Sequence, residues 1–378
     1  ATPASSESSA SGCVFTLGPD GGAPQLRRLE TEADAEAEER ALRLLRLRVG
    51  DDGIFVAGTY QHGGHGVTVE VHHLRDAVRS RVAAHTLEFA SVRERAIGLA
   101  LPGGAPVVAL SRTESSSCGT DLDRVPRTLV LTGKRAPPSE GPPRAGRVAA
   151  VTALDADVVV AGSRGSLPSA SYLAYGLDRA ALVSRHNPRG ALRWERELYA
   201  PGAEEFFRQL DERLAADGRD AVTSAEQRRV GQYTARALDV IADKLHVFVL
   251  ASFGDTLVVQ ALAAEDGAPK WRAPLGAGSS GALDRVDQGG AVGISYVRER
   301  GDTFTLVARA VLDERGRELR AGSRRVEHGG GYGRLELVTT PSGHVWVARS
   351  REDDGAAHAG DAPTAWIVDM GPIVAASR

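Results

Sequence analysis

Histidines are the side chains in this sequence most suited to metal chemistry, and four of the ten lie within residues 62–73. These four are His62, His65, His72 and His73. Neutral imidazole is a common protein ligand of zinc and copper, so the cluster raises the question of a metal site. The answer depends on the elements that hold the four side chains.

The segment around them, DDGIFVAGTYQHGGHGVTVEVHHL, predicts two strands joined by a glycine-rich bend. His72 and His73 are adjacent in one strand, so their side chains point to opposite faces. Seven residues of strand separate His65 from His72 by roughly 23 Å. Only His62 and His65, at the bend, stay as candidate ligands, and two ligands are fewer than a zinc site needs. We therefore expect no metal ion and no cofactor.

Other residue types that could do chemistry are sparse. The two cysteines, Cys13 and Cys118, have no partner at zinc-ligand spacing. They could form one disulfide in an oxidising compartment, or remain two free thiols. The sequence has no Gly-x-Ser-x-Gly nucleophile elbow. The segment HGGGYGR has neither the lysine nor the following helix of a phosphate-binding loop.

Composition narrows the classes of function. The chain has 378 residues, 42% of them hydrophobic, with 46 basic against 49 acidic side chains and a net charge of −3. A nucleic-acid partner is not expected, because phosphate binding needs a concentrated basic surface. No apolar run is long enough to span a membrane. Residues 1–12 are small, polar and Ser-rich, as in a flexible lead left after removal of a signal peptide or at an artificial boundary of the chain, and we expect a secreted, periplasmic or outer-envelope location. The segment SASGC is similar to a bacterial lipoprotein cleavage site but lacks the usual leucine.

A short β-rich run recurs six times and organises the chain. Its copies are GIFVAGT (53–59), APVVALS (105–111), DVVVAGS (157–163), HVFVLAS (246–252), GAVGISY (290–296) and HVWVARS (344–350). The fourth residues of the copies are spaced by 52, 52, 89, 44 and 54 residues. Four intervals near 50 and one long interval indicate a tandem repeat with one insertion.

The copy around DVVVAGS shows four strands, 147–154, 157–165, 180–186 and 191–198, bounded by turn residues. Four short strands per repeat of this length indicate a propeller blade. The sequence therefore predicts an all-β fold, a β-propeller of six four-stranded blades, with five or seven left open. We expect a single domain over residues 13–378, in which the N-terminal strands VFTL and PQLRRL complete the last blade.

Two of the repeats end alike, in RGALRWEREL and DGAPKWRAPL. Gly190 stands four residues before Trp194, and Gly267 stands four residues before Trp271. This ending resembles the repeat of bacterial quinoprotein-like (PQQ-type) propellers. The opening DDGIFVAGTY resembles the repeats of other secreted or envelope propellers of bacteria. The likeness covers most of residues 43–374 and implies the propeller fold.

Two segments interrupt the repeats. Residues 202–236 predict a helical insertion, in which Phe206, Phe207, Leu210 and Leu214 share one helical face. A second helix begins at Ser224, with Gln227 as its capping-box partner. The insertion is either a brace packed on the propeller or a docking element for a partner. The proline-rich segment 134–146 predicts an extended linker between blades two and three.

These observations leave two hypotheses about function. The first is a non-catalytic propeller of the bacterial envelope or exterior that presents its loops and pore to a protein or glycan partner. The alternative is a hydrolase or oxidoreductase whose site is assembled at the pore from several blades and leaves no linear motif. Two or three carboxylates or histidines with perturbed titration at the mouth of the pore would favour the enzyme, whereas a pore lined by small and apolar residues would exclude it.

Overall fold

The computed structural model describes most of the residues between 13 and 372. The described ranges are 13–16, 25–28, 43–50, 53–62, 66–75, 78–88, 90–114, 127–132, 144–145, 147–167, 177–218, 222–286, 290–301, 303–327, 334–339, 344–350 and 366–372. The lead over 1–12, His65, Cys118 and residues 134–143 of the predicted linker lie outside these ranges.

The described chain packs as two compact units. Unit 1 holds the described residues up to Val148 together with Pro188–Ala191, and unit 2 holds Ala149–Asn187 and the described residues from Leu192 onward. The predicted single domain stays a prediction.

Unit 1 contains a two-stranded sheet and two four-stranded antiparallel sheets. The two-stranded sheet is β1 (Cys13–Thr16) and β2 (Gln25–Arg28). Blade 1 is β3 (Arg43–Gly50), β4 (Gly53–His62), β5 (Gly66–Arg75) and β6 (Val78–Glu88). Blade 2 is β7 (Ala90–Ala100), β8 (Val107–Glu114), β9 (Arg127–Thr132) and β10 (Arg144–Ala145), with a 3₁₀ turn at Pro102–Gly104.

Unit 2 contains four further sheets. Blade 3 is β11 (Arg147–Leu154), β12 (Asp157–Leu167), β13 (Leu177–His186) and β14 (Leu192–Leu198). Blade 4 is β15 (Ala235–Ala242), β16 (His246–Phe253), β17 (Thr256–Ala263) and β18 (Pro269–Ala277). Blade 5 is β19 (Ser280–Arg285), β20 (Val292–Arg300), β21 (Phe304–Leu312) and β22 (Glu318–Glu327). Blade 6 is β23 (Arg334–Thr339), β24 (His344–Ser350) and β25 (Trp366–Pro372).

The predicted all-β propeller fold is confirmed. In every one of these blades the strands pair antiparallel in the order in which they follow along the chain. The six recurring runs form the second strands of the six blades, β4, β8, β12, β16, β20 and β24. The described residues give five sheets of four strands and a last one of three, and β1 pairs with β2, so the joining of N-terminal strands to the last blade stays a prediction.

Packing between successive sheets holds unit 2 together. The first strands follow one another, β15 beside β19 and β19 beside β23, which is the arrangement of inner strands in a propeller. One apolar core lies between blades 3 and 4, a second between blades 4 and 5, and a third between blades 5 and 6. Buried Val, Leu and Ala of β16 and β17 contribute to both of the first two cores, because these strands are covered on both faces.

The predicted helical insertion is present as α1 (Ala203–Ala216) and α2 (Ser224–Gly231). Phe207, Leu210 and Leu214 are buried in the core of blades 3 and 4, so α1 packs on the propeller as a brace. The outer face of α1 is charged and carries the Glu205–Arg208–Glu212 ion pairs.

Helix α2 begins at Ser224 as predicted, but three other details differ from the prediction. The N-cap of α2 is Thr223 and its capping-box partner is Glu226, one residue before the predicted pair. Strand β15 begins at Ala235, inside the segment assigned to the insertion. Arg144 and Ala145, at the end of the predicted linker, pair with β9 as β10. No helix among the described residues is long and apolar enough to cross a membrane.

Candidate functional site

The histidines of blade 1 separate as strand geometry predicts. His72 Nε2 lies 2.8 Å from Glu70 Oε2, and both side chains are buried. The His73 ring stacks on Phe55 with ring centroids 4.4 Å apart. His62 ends β4, but neither its side chain nor His65 belongs to the described part of the molecule, so this metal prediction stays untested.

Glu70 is the centre of a small charged group. Its second carboxylate oxygen accepts a hydrogen bond of 3.1 Å from Arg81 Nη1. Burial alone would raise the pKa of Glu70, but the hydrogen bonds from His72 and Arg81 outweigh burial, and the pKa lies below its ordinary value. The group stabilises the carboxylate and engages both of its oxygens. Within the described ranges, no three His, Cys, Asp or Glu side chains are placed to hold a metal ion.

The repeated tryptophans join consecutive blades. Trp194 Nε1 on β14 donates to Ala264 O in the turn between β17 and β18, at 3.0 Å. Trp271 Nε1 on β18 donates to Glu314 O in the turn between β21 and β22, at 2.6 Å. Gly190 and Gly267 both have positive φ, of 79° and 72°, as the third-to-fourth-strand turn requires.

Cys13 opens β1 and Cys118 is not described, so the disulfide stays a prediction.

Arginines reinforce the junction of blades 3 and 4. Arg185 Nη1 also donates to Ala264 O, at 2.8 Å. Arg196 donates to Asp266 O at 2.9 Å and to Gly267 O at 3.3 Å. Four donor contacts from blade 3 therefore hold one turn of blade 4, and this turn is a structural contact between blades.

Two carboxylates on the inner strands of unit 2, those of Asp239 and Asp284, bond to groups of the protein itself. Asp284 on β19 binds Arg309 on β21 through both oxygens, at 2.7 and 2.8 Å. Arg309 Nη1 also donates to Ser295 Oγ at 2.9 Å, and Ser295 Oγ lies 2.9 Å from Thr339 Oγ1 on β23. Asp239 Oδ2 on β15 accepts from Leu283 N at 2.7 Å. These contacts tie the inner strands of blades 4, 5 and 6 to one another.

A second group of charges, for which the described residues supply no ion-pair partner, lies at the start of β15. We call it the arginine–aromatic cluster; it consists of Phe206, Arg228, Arg229, Gln232, Tyr233 and Arg236. The rings of Phe206 and Tyr233 stack with centroids 4.2 Å apart and planes 13° apart. The guanidinium of Arg229 lies 5.6 Å from the centroid of the Phe206 ring. Phe206 and Tyr233 are half-buried, and the other four residues are exposed.

The backbone holds this cluster at the start of an inner strand. Gln232 N and Tyr233 N donate to the carbonyls of Arg229 and Val230, at 3.2 and 2.9 Å, and so turn the chain out of α2. Gly254, in the turn between β16 and β17, packs so closely that a Cβ there would lie 2.9 Å from Gln232 O. The cluster is thereby fixed to blade 4.

Sequence reasoning missed this cluster because its members come from two segments, Phe206 and residues 228–236. Two glycines in the sequence do indicate other contacts between or within blades, although they say nothing about the cluster. Gly293 stands where the other five copies of the repeat have valine, and its cause is the Asp284–Arg309 pair, which leaves no room for a Cβ. Gly316 repeats the glycine of the tryptophan-bearing turns, although Arg320 takes the place of tryptophan.

Comparison with known proteins gives no assignment by sequence. No family model matches the chain, and no curated protein matches it. Similar solved structures include a point mutant of Synechocystis apocarotenoid oxygenase (9% identity, TM-score 0.42, covering 84% of this chain and 68% of that one). They also include a putative 6-phosphogluconolactonase from Bacteroides fragilis (11% identity, TM-score 0.41, covering 97% of this chain and 91% of that one). A third is a quinohemoprotein alcohol dehydrogenase from Pseudomonas putida HK5 (13% identity, TM-score 0.38, covering 82% of this chain and 52% of that one).

Proposed function

We propose that this protein is a non-catalytic β-propeller that binds a protein or glycan partner in the bacterial cell envelope or outside the cell. The observation that carries the proposal is a contrast between two groups of charges in unit 2. The inner-strand carboxylates Asp239 and Asp284 are bonded to protein groups. The arginine–aromatic cluster instead presents three exposed arginines for which the described residues supply no carboxylate. Exposed charges beside half-buried aromatic rings are typical of recognition surfaces.

The same contrast weighs against the alternative of an enzyme. A hydrolase or oxidoreductase needs a nucleophile or an acid–base pair that can reach its substrate. Asp284 uses both oxygens on Arg309, and Asp239 uses one oxygen on Leu283 N and the other on Val240 N, at 2.9 Å. A carboxylate held in this way serves the packing of the strands and is poorly placed to exchange a proton with a bound molecule.

The test measures saturable binding of the purified full chain to a bacterial cell-envelope fraction. One portion of the fraction is left intact, one is treated with protease, and one is oxidised with periodate. We expect binding that unlabelled protein competes away; loss after protease identifies a protein partner, and loss after periodate identifies a glycan. The proposal is overturned if the intact fraction binds nothing, or if the purified protein turns over a hydrolase substrate or carries a redox cofactor.

A further inference from the structure

We infer that the arginine–aromatic cluster is a binding site for an acidic polysaccharide, one whose sugar units carry carboxylates. This inference rests on the proposed binding function and names its ligand class. It starts from the guanidinium groups of Arg228, Arg229 and Arg236, all exposed. Guanidinium matches a carboxylate with two parallel hydrogen bonds, so arginine is suited to recognise a uronate group.

Arginines outnumber carboxylates in the segment that carries most of the cluster. Residues 222–236 hold three arginines and a single carboxylate, Glu226. That carboxylate is already used, because Glu226 bonds Arg213 at 2.9 Å and caps α2 through Thr223. The arginines therefore have no carboxylate of their own segment to neutralise them, and an anionic ligand would supply one.

Neutral hydrogen-bonding groups accompany the arginines. The hydroxyl of Tyr233 and the side-chain amide of Gln232 make no hydrogen bond with any described residue. Together they offer donors and acceptors of the kind that pair with sugar hydroxyls. An anion without hydroxyls, such as a polypeptide of glutamate, would use the arginines and leave these groups unused.

The geometry of the rings disfavours a nucleic acid. Bases bind by stacking on an open aromatic face. Phe206 has Tyr233 stacked on it at 4.2 Å and the guanidinium of Arg229 near it at 5.6 Å, so its ring is already occupied.

The part of the cluster formed by Phe206, Tyr233 and Arg229 is preorganised, which favours binding. Its backbone is held by the hydrogen bonds of the turn after α2, and Arg229 is held against Phe206. Side chains that are ordered before the ligand arrives lose less entropy when it binds.

The test titrates the full chain with oligogalacturonate and measures the heat of binding by calorimetry. Neutral dextran, polyglutamate and a single-stranded oligonucleotide serve as comparison probes. We expect binding of oligogalacturonate, weakened by at least about 10-fold in each of Arg229→Gln and Arg236→Gln, because each removes a charged hydrogen bond. Tyr233→Phe keeps the stack and loses only the hydroxyl, so we expect about a 3- to 10-fold loss.

The matched control is Arg320→Gln. Arg320 is an exposed arginine on β22 of blade 5, so this variant makes the same charge change away from the cluster. Circular dichroism of each variant shows whether it is folded. The inference is overturned if Arg320→Gln weakens binding as much as Arg229→Gln, or if polyglutamate or the oligonucleotide binds as tightly as oligogalacturonate. Saturable binding to the envelope fraction without binding to oligogalacturonate would overturn this inference and leave the proposed function standing.

Discussion

The indole of Trp194 packs against the backbone of Gly267 in the next blade along the chain. A Cβ at position 267 would lie 2.7 Å from Cε3 of the indole, closer than side chains normally approach. The same relationship recurs one blade later, where a Cβ at Gly316 would lie 2.5 Å from Cε3 of Trp271. Each tryptophan thus joins the fourth strand of one blade to the turn before the fourth strand of the next.

Replacing this glycine should weaken the junction. We expect Gly267→Ala to lower the free energy of unfolding by about 3 kcal/mol. Roughly 1–2 kcal/mol comes from holding alanine at a φ of 72°, and the rest comes from displacing the indole of Trp194. Chemical denaturation measures the free energy, and tryptophan emission should shift to longer wavelength as the ring becomes more exposed.

Gly276→Ala is the control for the backbone contribution. Gly276 also has positive φ, of 93°, but a Cβ there would meet nothing within 4 Å. We expect a loss of about 1–2 kcal/mol from conformation alone, with unchanged emission. Equal losses in the two variants would show that the contact with Trp194 adds nothing to stability.

Local patterns predicted the strands of this protein well. Residues 147–154 form β11 as expected, because a run of Val and Ala bounded by turn residues favours a strand. The cap of α2 was displaced by one residue because Thr223 and Ser224 each precede an acceptor three positions on, Glu226 and Gln227. The backbone amide of Thr223 donates to Glu226 Oε2 at 2.8 Å, and this contact decides between the two.

Contacts across blades were beyond sequence reasoning. Arg309 and Asp284 lie on the third and first strands of blade 5, and nothing in their spacing indicates that they meet across Gly293. The arginine–aromatic cluster likewise forms only when α1 packs beside the start of β15 and brings Phe206 to Tyr233. The elements follow from periodicity, whereas the candidate site depends on how the elements pack.

The Asp284–Arg309 pair leads to a prediction opposite to the one that the repeat pattern alone would suggest. Gly293→Val would restore the residue found at Val56, Val108, Val160 and Val249, a change that usually stabilises repeats. A Cβ at position 293 would instead lie 2.6 Å from Asp284 Oδ2 and 2.7 Å from Arg309 Nη2. We expect a loss of about 3–5 kcal/mol in unfolding free energy, since a buried ion pair would be forced apart.

The double-mutant background Asp284→Ala with Arg309→Leu tests the cause of that loss. Without the two charged side chains, Gly293→Val has room, and we expect it to cost less than about 1 kcal/mol. A loss of similar size in both backgrounds would mean that the strand backbone, and not the ion pair, requires glycine.

The carboxylate of Glu70 makes the stability of the protein depend on pH. Its pKa is lowered in the folded protein, so on acidification the unfolded chain takes up the proton first. The stabilising contribution is therefore present above the pKa of an unfolded glutamate, about 4.3, and is lost as the pH falls through the lower folded value. We expect Glu70→Gln to lower the free energy of unfolding by about 2–3 kcal/mol at neutral pH, and this difference from wild type should shrink below pH ~4.

Glu205→Gln makes the same change at an exposed carboxylate and serves as the control for Glu70→Gln. Hydrogen bonds from Arg208 and Gln209 lower the pKa of Glu205 to about 2, but both partners of the Glu205–Arg208 pair are exposed to solvent. Salt at roughly 0.5 M should remove any effect of Glu205→Gln and leave that of Glu70→Gln, because screening acts on exposed charges and much less on buried ones. Denaturation curves between pH 3 and 7, at low and high salt, measure both effects. If the stability of Glu70→Gln runs parallel to that of wild type across this range, the group around Glu70 does not lower its pKa.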